Sequence, residues 1–195
     1  MKRDEAMVLL KKHLHSPNLI THSLAVAAIM KALAVRLGGD AEEYELAGLL
    51  HDIDYDETET NMELHALIGG RLLEENGLPQ TVVNAVISHN EIHGVPRDTV
   101  MNRALWAADP VSGFITAAAL VRPDKSIAEV QMKSLKKRFK ESAFARGANR
   151  EQMASCAEFG LELDEFLSLS LTAMQGIATE LGLQGISEEG EKETE

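Results

Sequence analysis

A chain of 195 residues, 45% hydrophobic but only 4% aromatic, is long enough for one domain with a real core and too short to assume two. Its formal charge of -12 argues against nonspecific binding to a nucleic acid backbone, whose affinity comes from Lys and Arg displacing counterions. Cys156 is the only cysteine, which excludes an intrachain disulfide and a cysteine-rich zinc site and suits a reducing compartment. Any metal must therefore use His and carboxylate ligands.

The opening MKRDEAMVLLKKHLHS lacks the apolar stretch of a signal peptide, and no run approaches the roughly 18 apolar residues of a membrane helix. A cytoplasmic location with no membrane partner is the expectation. Abundant Ala, Leu, Met and Glu make helix the default state. Ser16-Pro17, an apolar-periodic run to Leu37 and then Gly38-Gly39 provide an N-cap, a first-turn proline and a glycine stop, which predict a helix. A second helix is predicted from Ala41 to His51 or Asp52. The stretch from Asp54 to Asn61 is too polar to bury and reads as a surface loop.

Further helices are predicted over 62–75, closed by Gly77, over 79–89 and over 98–108, with Pro110 stopping or kinking the last one. Pro123 separates these from a helix at 126–140. A last helical stretch covers 149–183, with Gly160 and Gly176 as weak points. Residues 187–195 are acidic and lack apolar positions, so they are expected to be disordered. No hairpin-bounded alternation and no repeat occurs, so the expected fold is an all-α compact bundle over 1–185, with a core at about 15–120 and C-terminal helices at about 126–183. Met153, Leu161, Leu163, Phe166, Leu167, Leu171 and Met174 supply apolar surface there for the core or for a homodimer.

Charge is unevenly spread: residues 122–150 hold nine basic and three acidic side chains, between two acidic segments. The run Lys133, Lys136, Lys137, Arg138 and Lys140 can draw a phosphorylated substrate inward, although such a run is by default a solvated helix face.

His22 shares a stripe with Val26, Ile29 and Leu33, which turns its imidazole toward the buried side. His89 follows Val82, Ala85 and Val86 in the same way, and Asp109 follows Leu105 and Trp106. Adjacent side chains such as His51 and Asp52 diverge by about 100° on a regular helix, so they can share an ion only at a helix end, which the polar loop supplies. Taken singly, each is an ordinary core histidine or helix-end aspartate. Taken together, polar groups from several helices pointing inward make a bundle metal site.

The pattern His22 … His51-Asp52 … Asp109, set in THSLAVA, AGLLHDIDYD and ALWAADP, resembles the H…HD…D signature of the HD superfamily of metal-dependent phosphohydrolases over roughly residues 15–120. The resemblance implies that His22, His51, Asp52 and Asp109 bind a divalent ion (Mn, Fe, Mg, Zn or Co). It also implies that His65 and His89, in the segments where some members carry two further histidines, bind a second ion bridged by Asp52. The HD-GYP branch would have two adjacent histidines and a GYP motif where this chain reads His89-Asn90-Glu91-Ile92-His93-Gly94-Val95-Pro96, which argues against that activity.

The activity so implied is hydrolysis of a small phosphate ester, such as a nucleotide, by metal-activated water. Asp52, Asp54 and Glu91 are the catalytic candidates and Arg71 and Arg103 the phosphate contacts. Asp56 is a further acid-base candidate, His93 reads as a loop residue, and His13 and His15 as surface residues. Two alternatives stand beside it: a di-iron oxygenase on the same six ligands, and a signalling or scaffold domain without turnover.

Overall fold

The structure, a computed structural model, describes residues 1–185; the predicted acidic tail lies outside them. Among the described residues the chain is built of helices: α1 (Arg3–His13), α2 (Pro17–Leu37), α3 (Ala41–Leu50), α4 (Tyr55–Thr58), α5 (Leu67–Glu75), α6 (Gln80–His89), α7 (Val100–Leu120), α8 (Met132–Phe139), α9 (Arg150–Ala154) and α10 (Leu163–Gln175), with 3-10 turns at Glu91–His93 and Ser155–Phe159. An isolated bridge pairs Ser126 with Gln184. The all-α class expected from the sequence is what the structure shows.

The start and stop of α2 follow the sequence signals. Pro17 takes the first turn, and Gly38 closes the helix at φ +74°, donating its N–H to the Ala34 carbonyl; a β-carbon is disfavoured in that left-handed conformation. Val26, Ile29 and Leu33 are fully buried, each contributing about 1.5–3 kcal/mol. Asp40 then caps α3 by accepting from Glu42 and Glu43 N–H at 2.9 and 3.0 Å. α2 packs against α3, α7 and α10, and the buried core runs as one cluster from Ala6 to Leu183.

Four expectations are corrected. First, α2 is long and apolar enough to cross a membrane by length and composition, because the isolated polar residues in Pro17–Leu37 do not outweigh the aliphatic ones; half of its most apolar window is buried within the protein. Second, the segment from Asp54 is not a free surface loop. It contains α4, and Asp54 and Thr58 are buried, which is tolerated because their polar atoms are satisfied: Thr58 Oγ1 donates to the Asp54 carbonyl at 2.8 Å.

Third, α7 runs through Pro110. The proline lacks the N–H that would reach the Trp106 carbonyl four residues back; the Gln152 side chain supplies the missing donor, Nε2 to Trp106 O at 2.8 Å. Fourth, three predicted helices are shorter. The one at 62–75 begins at Leu67 because Ala66 sits at φ +71°, the one at 126–140 covers only Met132–Phe139, and the stretch at 149–183 is broken at Gly160, φ +82°, and ends at Gly176.

Candidate metal centre

Three helices and two turns bring the predicted ligands together. His22 comes from the first half of α2, Asp109 from the middle of α7 and His89 from the last position of α6. α3 stops at Leu50, and His51 and Asp52 occupy the turn after it, where neighbouring side chains can converge. Gly48 lets this turn approach α2: a Cβ there would lie 2.8 Å from Ala27 Cα and from the Val26 carbonyl. His65 arrives on the turn before α5.

Asp52 lies at the middle. Its Oδ2 is 3.3 Å from His51 Nε2 and 3.5 Å from His22 Nε2, while its Oδ1 is 3.4 Å from both His65 Nε2 and His89 Nε2. His22 Nε2 is also 3.2 Å from Asp109 Oδ1 and 3.1 Å from His51 Nε2. His65 and His89 Nε2 are 3.1 Å apart. Two groups with metal-ligand spacing result, His22–His51–Asp52 and Asp52–His65–His89.

All four imidazoles are oriented from behind. The Nδ1 of His51 faces the Gly48 carbonyl at 2.9 Å, that of His89 the Val86 carbonyl, that of His22 Ser112 Oγ at 2.9 Å and that of His65 Asp54 Oδ1 at 2.9 Å. Ser112 Oγ donates to the Asp109 carbonyl at 2.8 Å, so it accepts from His22. With every Nδ1–H donating outward, every Nε2 presents a lone pair inward. Lone pairs and carboxylate oxygens at such separations repel unless cations or protons lie between them. Ligands about 2.0–2.1 Å from one ion sit roughly 3 Å apart, so the donor set fits a divalent cation in each half.

Without a cation, protons compensate the charge. Burial opposes the charged form of His51, but the Asp52 carboxylate, by charge and hydrogen bond, and Asp109 outweigh it and raise His51 to about 9. His65 is raised to about 9 against burial by Asp52 and Asp54. Burial alone would raise both carboxyls; instead His51, with His65 and His89, holds Asp52 well below the usual range, and His22 lowers Asp109.

Asp52, His65, His89 and Asp109 form one wall of a cleft of about 290 Å³ that also includes Tyr55, Met62, Asn90, Glu91, Trp106 and Gln152. Glu91 stands exposed at its edge. Apart from Asp52 and Glu91, the catalytic and phosphate candidates are elsewhere. Asp54 is buried with both oxygens engaged, accepting from His65 and from the Ala66 and Gly69 N–H groups at 2.8 and 2.7 Å, so it is not free to exchange a proton with substrate. Asp56 accepts from His15 N–H at 2.6 Å. Arg71 is exposed on α5 and does not line the cleft. Arg103 spends its guanidinium on the carbonyls of Arg97 (2.9 Å), Glu158 (3.4 Å) and Asp98 (3.5 Å). His93 turns Nε2 to the His65 carbonyl at 2.7 Å, away from the centre.

Sequence reasoning missed Tyr55, Asn90, Ser112 and Gln152. Only Ser112, three residues after Asp109 on one helix face, carried a local signal. Asn90 Nδ2 donates to the Met62 and His65 carbonyls at 2.9 and 3.0 Å, a tie between segments that spacing does not reveal.

The HD domain family model matches residues 19–122. Ribonuclease Y of Fusobacterium nucleatum subsp. nucleatum is 38% identical over 101 residues, 50% of this chain and 19% of that protein. Ribonuclease Y of Sulfurovum sp. is 33% identical over 140 residues, 70% of this chain and 27% of that protein. The chain thus matches only about a fifth to a quarter of the length of these curated relatives. Among solved structures, the HD domain of the L. monocytogenes phosphodiesterase PgpH matches with a TM-score of 0.50 at 17% identity, over 87% of this chain and 98% of that one, a likeness of fold. The matched span contains His22, the His51-Asp52 doublet and Asp109, and the chain belongs to the HD domain family.

Proposed function

We propose that this chain is a binuclear metal-dependent phosphohydrolase that cleaves a phosphate ester bond with water. The observation that carries the reading is Asp52, whose two oxygens face two separate pairs of histidines, His22 and His51 on one side and His65 and His89 on the other. His22, His51, Asp52 and Asp109 would hold one ion, and Asp52, His65 and His89 the other. Divalent ions bound there acidify water and neutralise charge on a phosphoryl group.

The chain's own residues then orient and bind. The Nδ1 partners lock the four rings, and the Asp52 carboxylate keeps the two halves in register. Among the described residues no Lys or Arg lines the cleft, so substrate phosphate has no guanidinium to pair with there. Glu91, at the exposed edge, is the carboxylate placed to pass a proton to solvent.

The relatives' name, Ribonuclease Y, extends the candidate substrates from nucleotides to RNA phosphodiesters. Net charge alone weighs against a nucleic acid partner, and these relatives give that exclusion no support.

The test combines metal analysis with turnover. Chelator-treated protein reloaded with Mn²⁺ is expected to hold about two ions and to hydrolyse bis(4-nitrophenyl) phosphate or an RNA oligonucleotide, and Asp52→Ala to lose both properties. Metal bound without hydrolysis, together with oxygen uptake by the iron form, would replace this reading with the oxygenase one.

A further inference from the structure

We propose that Asp54 is a positioning residue for the second half of the centre, holding His65 in one tautomer and orientation and making the two halves chemically unequal. The inference rests on the reading of His65 and His89 as ligands of a second ion.

Of the four inward-facing histidines, three have Nδ1 backed by neutral oxygens, those of Gly48, Val86 and Ser112. His65 alone is backed by a carboxylate. Asp54 is 3% exposed, so this hydrogen bond is shielded from water. An ionised acceptor behind an imidazole makes the opposite nitrogen a stronger donor to a cation and fixes its direction.

Asp54 is itself held in place. Its Oδ2 accepts from Ala66 and Gly69 N–H at 2.8 and 2.7 Å, at the start of α5, where Ala66 offers no capping side chain. A residue from another segment thus caps this helix. The turn that delivers His65 passes through Ala66 at φ +71°, a conformation that a β-carbon disfavours, and the carboxylate secures it from both sides. Gly69 leaves the room: a Cβ there would lie 3.2 Å from Asp54 Oδ2.

A carboxamide cannot replace this group. Both Asp54 oxygens are used as acceptors, and asparagine keeps one acceptor while presenting an NH2 donor. Either His65 loses its partner or two backbone N–H groups face a donor. No hydrogen bond or ion pair links Asp54 to His22, His51 or Asp109 among the described residues, so the first half should be spared.

The experiment is Mn²⁺ titration of the full chain, with His65→Ala marking which of two sites is the second. Asp54→Asn is expected to raise the Kd of that site about 10–100-fold while leaving the other within about twofold. If Asp54→Asn does not fold, Gly69→Ala, which crowds the carboxylate without removing it, should weaken the same site severalfold. Two unchanged sites in the variant that folds, or two sites weakened equally, overturns the proposal and leaves Asp54 a helix cap only. Wild-type protein that binds one ion overturns the two-ion reading, and the proposal with it.

Discussion

Gly48 lies directly against Ala27, so close that a β-carbon on the glycine would come within 2.8 Å of the alanine Cα. That contact sets the separation of α2 and α3, and with it the 3.1 Å between His22 and His51 Nε2.

Gly48→Ala should therefore push α3 outward. Alanine gains about 1 kcal/mol of helix propensity, but overpacking against backbone costs about 1–3 kcal/mol, and here no flexible side chain can yield. Urea denaturation should show a net loss of stability, and Mn²⁺ affinity should fall through His51, whose Nδ1 also leans on the Gly48 carbonyl. Unchanged affinity would mean that the turn after α3 adapts independently of the helix.

The metal-free centre should be a pH-dependent stabiliser. Burial alone would depress His51 and His65, but Asp52, joined at His65 by Asp54, raises both to about 9, above the unfolded value of about 6.5. Groups raised on folding contribute stability that is complete below their unfolded pKa and is lost as pH rises through the folded one. The Tm of chelator-treated protein should decline between about pH 7 and 10. Mn²⁺ binding near pH 7 should release protons, fewer as the pH approaches 10, as titration in weak buffer would record.

Gln152 and Pro110 should be energetically coupled. Gln152→Ala strands the Trp106 carbonyl, at a cost of about 1–3 kcal/mol where it is shielded from water. In a Pro110→Ala background the returning backbone N–H can take that carbonyl, so the same substitution should cost much less. A double-mutant cycle by urea denaturation reads the difference directly; additivity would count against this account of how α7 passes its proline.

Arg71 and Arg103 should separate cleanly. Arg71→Ala, on the exposed face of α5, is expected to leave KM, kcat and Tm near wild type. Arg103→Ala should lower Tm, because its three carbonyl partners at 97, 98 and 158 lose their donor, while KM moves little. A KM increase of tenfold or more in either variant would restore a phosphate-binding role.

Local signals in the sequence determined the helical class, the start and stop of α2, and the inward faces of His22 and His89, because periodicity and caps act within a few residues. The resemblance to the HD superfamily named six side chains; the structure puts five of them in two groups with metal-ligand spacing and Asp109 beside His22. Only the tertiary structure decided the rest. Burial of the segment after Asp54 depends on donors from the start of α5, passage of α7 through Pro110 depends on Gln152, 46 positions from Trp106, and the fate of Arg103 depends on carbonyls from the segment before α7 and from the 3-10 turn at Glu158. Each outcome turns on a polar atom finding a partner outside its own helix, and hydrophobic pattern carries no information about which residue will meet it.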